Sequence, residues 1–174
     1  MGLSPSKSWH IADTLELCIG QGAVTATPLQ VARLLAAVAN GGRLVTPHWV
    51  AGDCPDFCAS KNGTVPFASA AQEIAGLHPH TLAVLRDGLA RTVSDPRGTA
   101  HDTVQLDSVA VAGKTGTAQC GPGQPDHAWF AGYVPAEQPR FAVVVVLEHG
   151  GDAATAAGPL VKRLILQMQD LGLL

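Results

Sequence analysis

The chain has 174 residues, 47% of them hydrophobic, 14% charged, with a formal net charge of −3. That length allows one domain with a sizeable core, and that apolar content excludes a disordered chain. The slightly acidic balance, with no basic cluster beyond neighbouring pairs, gives no electrostatic case for binding nucleic acid.

Residues 1–13 are polar and Ser-rich and read as a surface lead-in. They hold no apolar core like that of a signal peptide, and the longest apolar run, Phe141–Leu147, is far too short to cross a bilayer. Neither export nor anchoring is therefore visible in these residues. A brief apolar alternation from Leu15 leads into the turn Gly20-Gln21-Gly22. Thr27-Pro28 is a helix start, with Thr as N-cap and Pro in the first turn. The helix is expected to run to Ala39, with Leu29, Ala32, Leu35, Ala36 and Ala39 on its inner stripe, and Asn40-Gly41-Gly42 stops it.

Residues 43–50 read as an extended segment, and 51–69 as a loop rich in Gly, Pro, Asp and Asn that has room for a hairpin. The span 51–75 is treated as a variable loop region. His80–Val93 is a second amphipathic helix, with Leu82, Leu85, Leu89 and Val93 on one face, broken by Asp95-Pro96-Arg97-Gly98. Three strands should follow, at about 108–119, 127–134 and 141–147, joined by short turns into an antiparallel meander. A last helix over 152–171 would turn Ala156, Leu160, Leu164, Ile165 and Met168 inward. The expected class is α+β, a small antiparallel sheet packed with helices.

The strand at 141–147 is apolar at every position, so both of its faces should be buried. No later strand can pair with its outer side. Either an earlier segment fills that place or the partner lies outside this chain, because a bare apolar edge invites aggregation.

Chemistry concentrates in Lys114-Thr115-Gly116-Thr117, at the end of the first of these strands. Lys114 offers a point charge with three donors, the threonines offer hydroxyls, and Gly116 leaves room for a ligand backbone. These groups could hold a carboxylate beside a reacting carbonyl. Taken alone, the tripeptide also fits a solvated lysine before a turn. The four cysteines are scattered as Cys18, Cys54, Cys58 and Cys120. Cys54 and Cys58 would need two further ligands to make a zinc site, which the dispersed histidines do not supply, so no metal or cofactor is expected.

Four ordered segments carry a family resemblance: Ile19-Gly-Gln-Gly with Thr27-Pro-Leu-Gln and Ala39-Asn-Gly-Gly; Pro96-Arg-Gly-Thr-Ala100; Ala112-Gly-Lys-Thr-Gly-Thr-Ala-Gln119; and His127-Ala-Trp-Phe-Ala-Gly-Tyr with Val143-Val-Val-Val. The chain resembles the C-terminal part of the transpeptidase domain of class B penicillin-binding proteins, of the elongation-type penicillin-binding protein 2 group. The resemblance implies a partial β-lactamase/transpeptidase-like fold occupying residues 1–174. It implies cross-linking of peptidoglycan through a serine acyl-enzyme, with D-Ala-D-Ala stem peptides and β-lactams as ligands, at the periplasmic face of the cytoplasmic membrane. By position, Lys114 would supply positive potential near the nucleophile. Thr115 and Thr117 would bind the ligand carboxylate, the Thr117 N–H would donate to the oxyanion, and Gly116 would admit the ligand. Trp129 reads as core and His127 as structural.

The family also needs a serine with a lysine one helical turn later, so that the amine can take the hydroxyl proton. Ser4-Pro-Ser-Lys7 and Ser60-Lys-Asn62 match the S-x-x-K and S-x-N patterns formally. Both read as coincidences. Ser60 follows the Gly-Gln-Gly segment that it should precede, and Ser8, His10 and Asp13 interrupt any buried helix after Ser4. The expectation is a domain portion that carries the substrate wall without the nucleophile. The alternatives are a non-catalytic ligand-binding module and a split domain that needs an N-terminal half.

Overall fold

Residues 9–48 and 71–174, together with the backbone of Ala59–Ser60 and Gly63–Thr64, are described by a computed structural model. Ser4, Lys7, Cys54, Cys58 and Asn62 lie outside the described residues. In chain order the elements are α1 (Ile11–Cys18), α2 (Pro28–Ala39), β1 (Arg43–Leu44), β2 (Ala59–Ser60), β3 (Gly63–Thr64) and β4 (Gln72–Glu73). Then come α3 (Pro79–Ser94), α4 (His101–Val104), β5 (Ala112–Ala118), β6 (His127–Val134), β7 (Phe141–Leu147) and α5 (Ala153–Asp170).

The expected meander is present. β5, β6 and β7 form an antiparallel sheet in that spatial order. Thr115 pairs with Phe130, and Lys114 with Ala131. Because side chains alternate across a sheet, this register puts Thr115 on the face that carries Phe130 and Lys114 on the opposite one. The Phe130 face buries Val134 and Val143 against Ala157, Val161 and Ile165 of α5, with Val93 and Val104 closing the end. The other face buries Ala112 and Tyr133 under Leu35 and Val38 of α2. The sheet is thus the middle layer of three.

Each long helix begins as its sequence dictates. Thr27 accepts from the Gln30 N–H and Gln30 returns a bond to the Thr27 N–H, a capping box ahead of Pro28. Gly41 and Gly42 hold φ of 92° and 93°, and the Gly42 N–H reaches back to the Ala37 carbonyl, which ends α2. Arg86 of α3 completes that end, donating to the carbonyls of Val38 at 2.7 Å and Ala39 at 2.6 Å. A cation at a helix C-terminus also meets the negative end of the helix dipole. Asp152 caps α5 by accepting from the Thr155 N–H at 2.9 Å, and that bond lowers its carboxyl pKa.

Several expectations need correction. The lead-in and the alternation after it contain α1, started where Asp13 accepts from the His10 N–H at 2.7 Å. His10 and Asp13, expected to interrupt a helix, instead begin one. It is not a buried helix: among its residues only Asp13 is buried, while Ile11 is 83% exposed. The inner stripes are shifted. α2 buries Leu35, Ala37 and Val38 while Leu29 faces solvent, and in α3 Leu85 is exposed. α5 buries Ala153, Ala157, Gly158, Val161 and Ile165 and exposes Leu160 and Leu164. Small residues set the α5 contact because Gly158 lies against Thr103 of α4, too close for any Cβ. The four-residue α4 was not expected at all.

β7 is the outermost strand, and no earlier segment among the described residues pairs with its free side. Of its residues only Val143 is buried, and Ala142 is exposed. Double-sided burial does not hold there, because the strand lies at the rim of the sheet. The 51–69 loop does contain a hairpin, β2 with β3, and β1 pairs with β4 across it. Ser60 sits on β2 of that hairpin, not on a helix.

Candidate active-site wall

β5 is the other edge strand of the sheet, and no strand among the described residues pairs with its outer side. Lys114 springs from the α2 face, yet its amine donates to the Thr115 carbonyl at 2.9 Å and to the Thr115 hydroxyl at 3.3 Å. Its stem must therefore curl round the strand edge. The Thr115 hydroxyl is 2.9 Å from that of Thr99, which the Lys114 amine also reaches at 3.4 Å. One amine and two hydroxyls thus form a closed polar group at the edge. Thr115 is 8% exposed, so its hydroxyl is held in place by these partners.

Thr99 is delivered by the turn after α3. Asp95 accepts from the Arg97 N–H at 2.9 Å and from both ends of the Arg97 guanidinium fork. Those bonds hold the Asp95 carboxyl down at about 2, against an ordinary 3.8. Gly98 packs so closely on the Thr92 carbonyl that no side chain fits, and the Ala100 N–H donates to the same carbonyl. The turn therefore has little freedom, and Thr99 is fixed.

The wall borders an open cleft of about 1180 Å³. Lys114, Thr115, Gly116 and Thr117 all line it, so the structure brings the sequence-predicted wall residues together in one place. Thr117 is exposed, with its carbonyl accepting from the Gln21 side chain at 3.0 Å. That bond ties the Gly20–Gly22 turn to the wall and makes the turn the opposite rim. A Cβ on Gly116 would meet nothing nearer than Trp129 Cβ at 3.7 Å, an ordinary contact. The fold leaves that space open. Gly113, three residues earlier and on the opposite face, is different, because a Cβ there would strike the Phe130 ring.

Trp129 corrects an expectation. It is half-buried and lines the cleft, with its indole N–H enclosed and unpartnered among the described residues. His127 also lines the cleft, and its Nδ1 accepts from the His149 N–H at 3.0 Å, which agrees with a structural part. Three lining groups were missed from sequence: Thr99, Gln21 and the Trp129 ring. Each sits within a segment that carries the resemblance, but nothing in a one-dimensional pattern says that those segments converge.

The fold, a helix-covered antiparallel sheet with a K-T-G edge beside a cleft, is that of part of a penicillin-binding transpeptidase domain. Residues 2–166 match the penicillin-binding protein transpeptidase domain family, and the chain belongs to it. Within that family it is of the penicillin-binding protein 2 type. It is 30% identical to the peptidoglycan D,D-transpeptidase MrdA of Acinetobacter baumannii, over 91% of this chain and 26% of that protein. Among solved structures, it resembles Helicobacter pylori PBP2 in complex with MreC, with a TM-score of 0.78 and 28% identity, over 97% of this chain and 29% of that one. It resembles Pseudomonas aeruginosa PBP2 in complex with WCK 5153 with a TM-score of 0.74 and 33% identity, over 91% and 33%. The chain thus spans between a quarter and a third of the relatives it matches. No helix among the described residues is long and apolar enough to cross a membrane.

Proposed function

We propose that this chain supplies the substrate wall of a peptidoglycan D,D-transpeptidase, and that the attacking serine and its lysine come from a segment outside these residues. The observation that carries the reading is the closed Lys114–Thr115–Thr99 group on a free strand edge, with exposed Thr117 and open Gly116 next to it. The D-Ala-D-Ala end of a stem peptide would lie along β5 in the cleft. Its carboxylate would take the Thr117 hydroxyl, with the Thr115 hydroxyl held behind it. Lys114 would bring positive charge to the carboxylate and to the nucleophile, and the Thr117 N–H would face the developing oxyanion. A serine hydroxyl would then attack the carbonyl and expel D-alanine, and the acyl group would pass to an amine. β-Lactams would stop at the acyl stage. As the family works, the assembled enzyme would act at the outer face of the cytoplasmic membrane.

The exposed apolar residues of α1 and its flanks support a missing neighbour. Ile11, Leu15 and Ile19 are 83%, 65% and 74% exposed on one short stretch. The partner that fits is the N-terminal half of the same domain, carrying S-x-x-K and S-x-N. The test is acylation by a fluorescent penicillin. The chain alone should form no covalent adduct, while co-expression with such a half should restore one on that half, and Lys114→Gln should abolish it. A stoichiometric adduct on Ser4 of the isolated chain would refute the reading, as would failure of the combined halves to be acylated.

A further inference from the structure

The sheet register gathers three metal-ligating side chains that are far apart in sequence. Ala118 pairs with His127, and Ala128 with Leu147. Cys120, two residues past Ala118, and His149, two residues past Leu147, therefore come to the same end of the sheet as His127. Ligand atoms of Cys120, His127 and His149 all lie within 4.8 Å of one another. No metal is expected from Cys54 and Cys58 with histidines dispersed in sequence; strand pairing brings two of those histidines together.

The hydrogen bonds say which lone pairs are available. His149 Nδ1 is 2.9 Å from the Pro125 carbonyl, which can only accept, so Nδ1 carries the proton and Nε2 is left with its lone pair. A histidine that donates one ring nitrogen to a backbone carbonyl and turns the other outward is the usual posture of a metal ligand. His127 Nδ1 accepts from the His149 N–H at 3.0 Å, so its lone pair points at the backbone of a second residue of the cluster. An ion would displace that amide, which belongs to an exposed residue that water can serve. The Cys120 thiol has only a long 3.6 Å contact with the Ala118 carbonyl.

We infer that Cys120, His127 and His149 form a binding site for a zinc(II)-class ion at the mouth of the cleft. One thiolate and two imidazoles are borderline-soft donors that suit zinc, and no carboxylate among the described residues joins them, which disfavours calcium and magnesium. Tetrahedral zinc sets its ligand atoms roughly 3.4–3.7 Å apart, so closure needs a movement of about 1 Å. The fourth position is left to water or a ligand group from the cleft, which His127 also lines. The bound ion would staple the 119–126 connection to the ends of three strands. The site does not rest on the transpeptidase reading, because its ligands need no nucleophile and no stem peptide.

Cobalt(II) titration of the reduced full chain tests this, in a background where Cys18, Cys54 and Cys58 are serine. One equivalent should give a thiolate-to-cobalt charge-transfer band with tetrahedral d–d absorption. Zinc should displace the cobalt, and calcium or magnesium should not. Cys120→Ser or Cys120→Ala should remove the band. His149→Asn, which keeps a residue tolerant of the left-handed φ of 54° at that position, should weaken binding by roughly tenfold or more. Circular dichroism of each variant establishes that it is folded. A band that survives both Cys120 substitutions, or no band at millimolar cobalt in the folded background protein, would overturn the site.

Discussion

Two glycines a few residues apart on β5 separate the demands of folding from those of ligand binding. Gly113 is required by the sheet, because Phe130 occupies the volume its Cβ would take. Gly113→Ala should lower stability by about 2 kcal/mol through overpacking, read as a fall in the midpoint of urea unfolding. Gly116→Ala meets only ordinary contact and should stay within about 0.5 kcal/mol of the parent. In the assembled enzyme the same methyl would intrude on the ligand path, so penicillin acylation should slow while the unfolding midpoint stays put. Asp95 carries the pH dependence of the turn under Thr99. Its folded pKa, about 2, lies below the ordinary 3.8, so the Arg97 bonds add stability above 3.8 that is lost as pH falls through about 2. The stability gap between the parent and Asp95→Asn should therefore be widest near neutral pH and close across that acid window. The Lys114–Thr117 tetrad stands out in one dimension, and the fold sets it along one cleft. Thr99 was not singled out, because its place beside Thr115 depends on a rigid turn that brings two distant segments into contact.

Secondary-structure elements show the same division. Caps and breakers in the sequence place α2 and α3 within a residue of where they lie, since Thr27-Pro28, Gly41-Gly42 and Asp95-Pro96 act locally. The faces were less legible. Leu29, Leu85, Leu160 and Leu164 fit a helical stripe and are nevertheless exposed. Apolar spacing marks a possible helix face, but the buried faces of these helices lie elsewhere, on Leu35, Ala37 and Val38, on Leu82 and Val93, and on Ala157, Val161 and Ile165. The clearest element-level dependence is the α2 C-terminus, whose last carbonyls rely on a side chain from α3. Arg86→Met keeps the stem and removes the donors, and should reduce stability by about 2 kcal/mol. Amide hydrogen exchange should accelerate first near Asn40, while the α5 amides keep their protection.

At the scale of the whole molecule, the sheet has helices on both faces, and among the described residues no strand pairs with the outer side of β5 or of β7. The K-T-G edge faces the cleft, and the β7 edge is a run of apolar residues. On the proposed reading, the N-terminal half of the domain covers the α1 side. Ile11→Asp with Leu15→Asp should leave the melting temperature of the chain alone unchanged. It should also abolish penicillin acylation of the co-expressed half. Equal loss of stability in both settings would show instead that α1 serves this chain's own fold.

The contact between Gly158 and Thr103 reaches further than the packing of two helices. α4 follows Thr99 almost at once, and the His101 ring is bonded to the Val93 carbonyl at 3.0 Å, so the segment from α3 to α4 moves as a unit. A methyl added at Gly158 would lever Thr103 outward and drag Thr99 off the Thr115 hydroxyl. On the proposed reading, a lesion on the far side of the sheet from Lys114 would then loosen the wall's hold on a ligand without touching it. A search for drug-resistance substitutions in such a domain should therefore include the back helix as well as the residues that meet the drug.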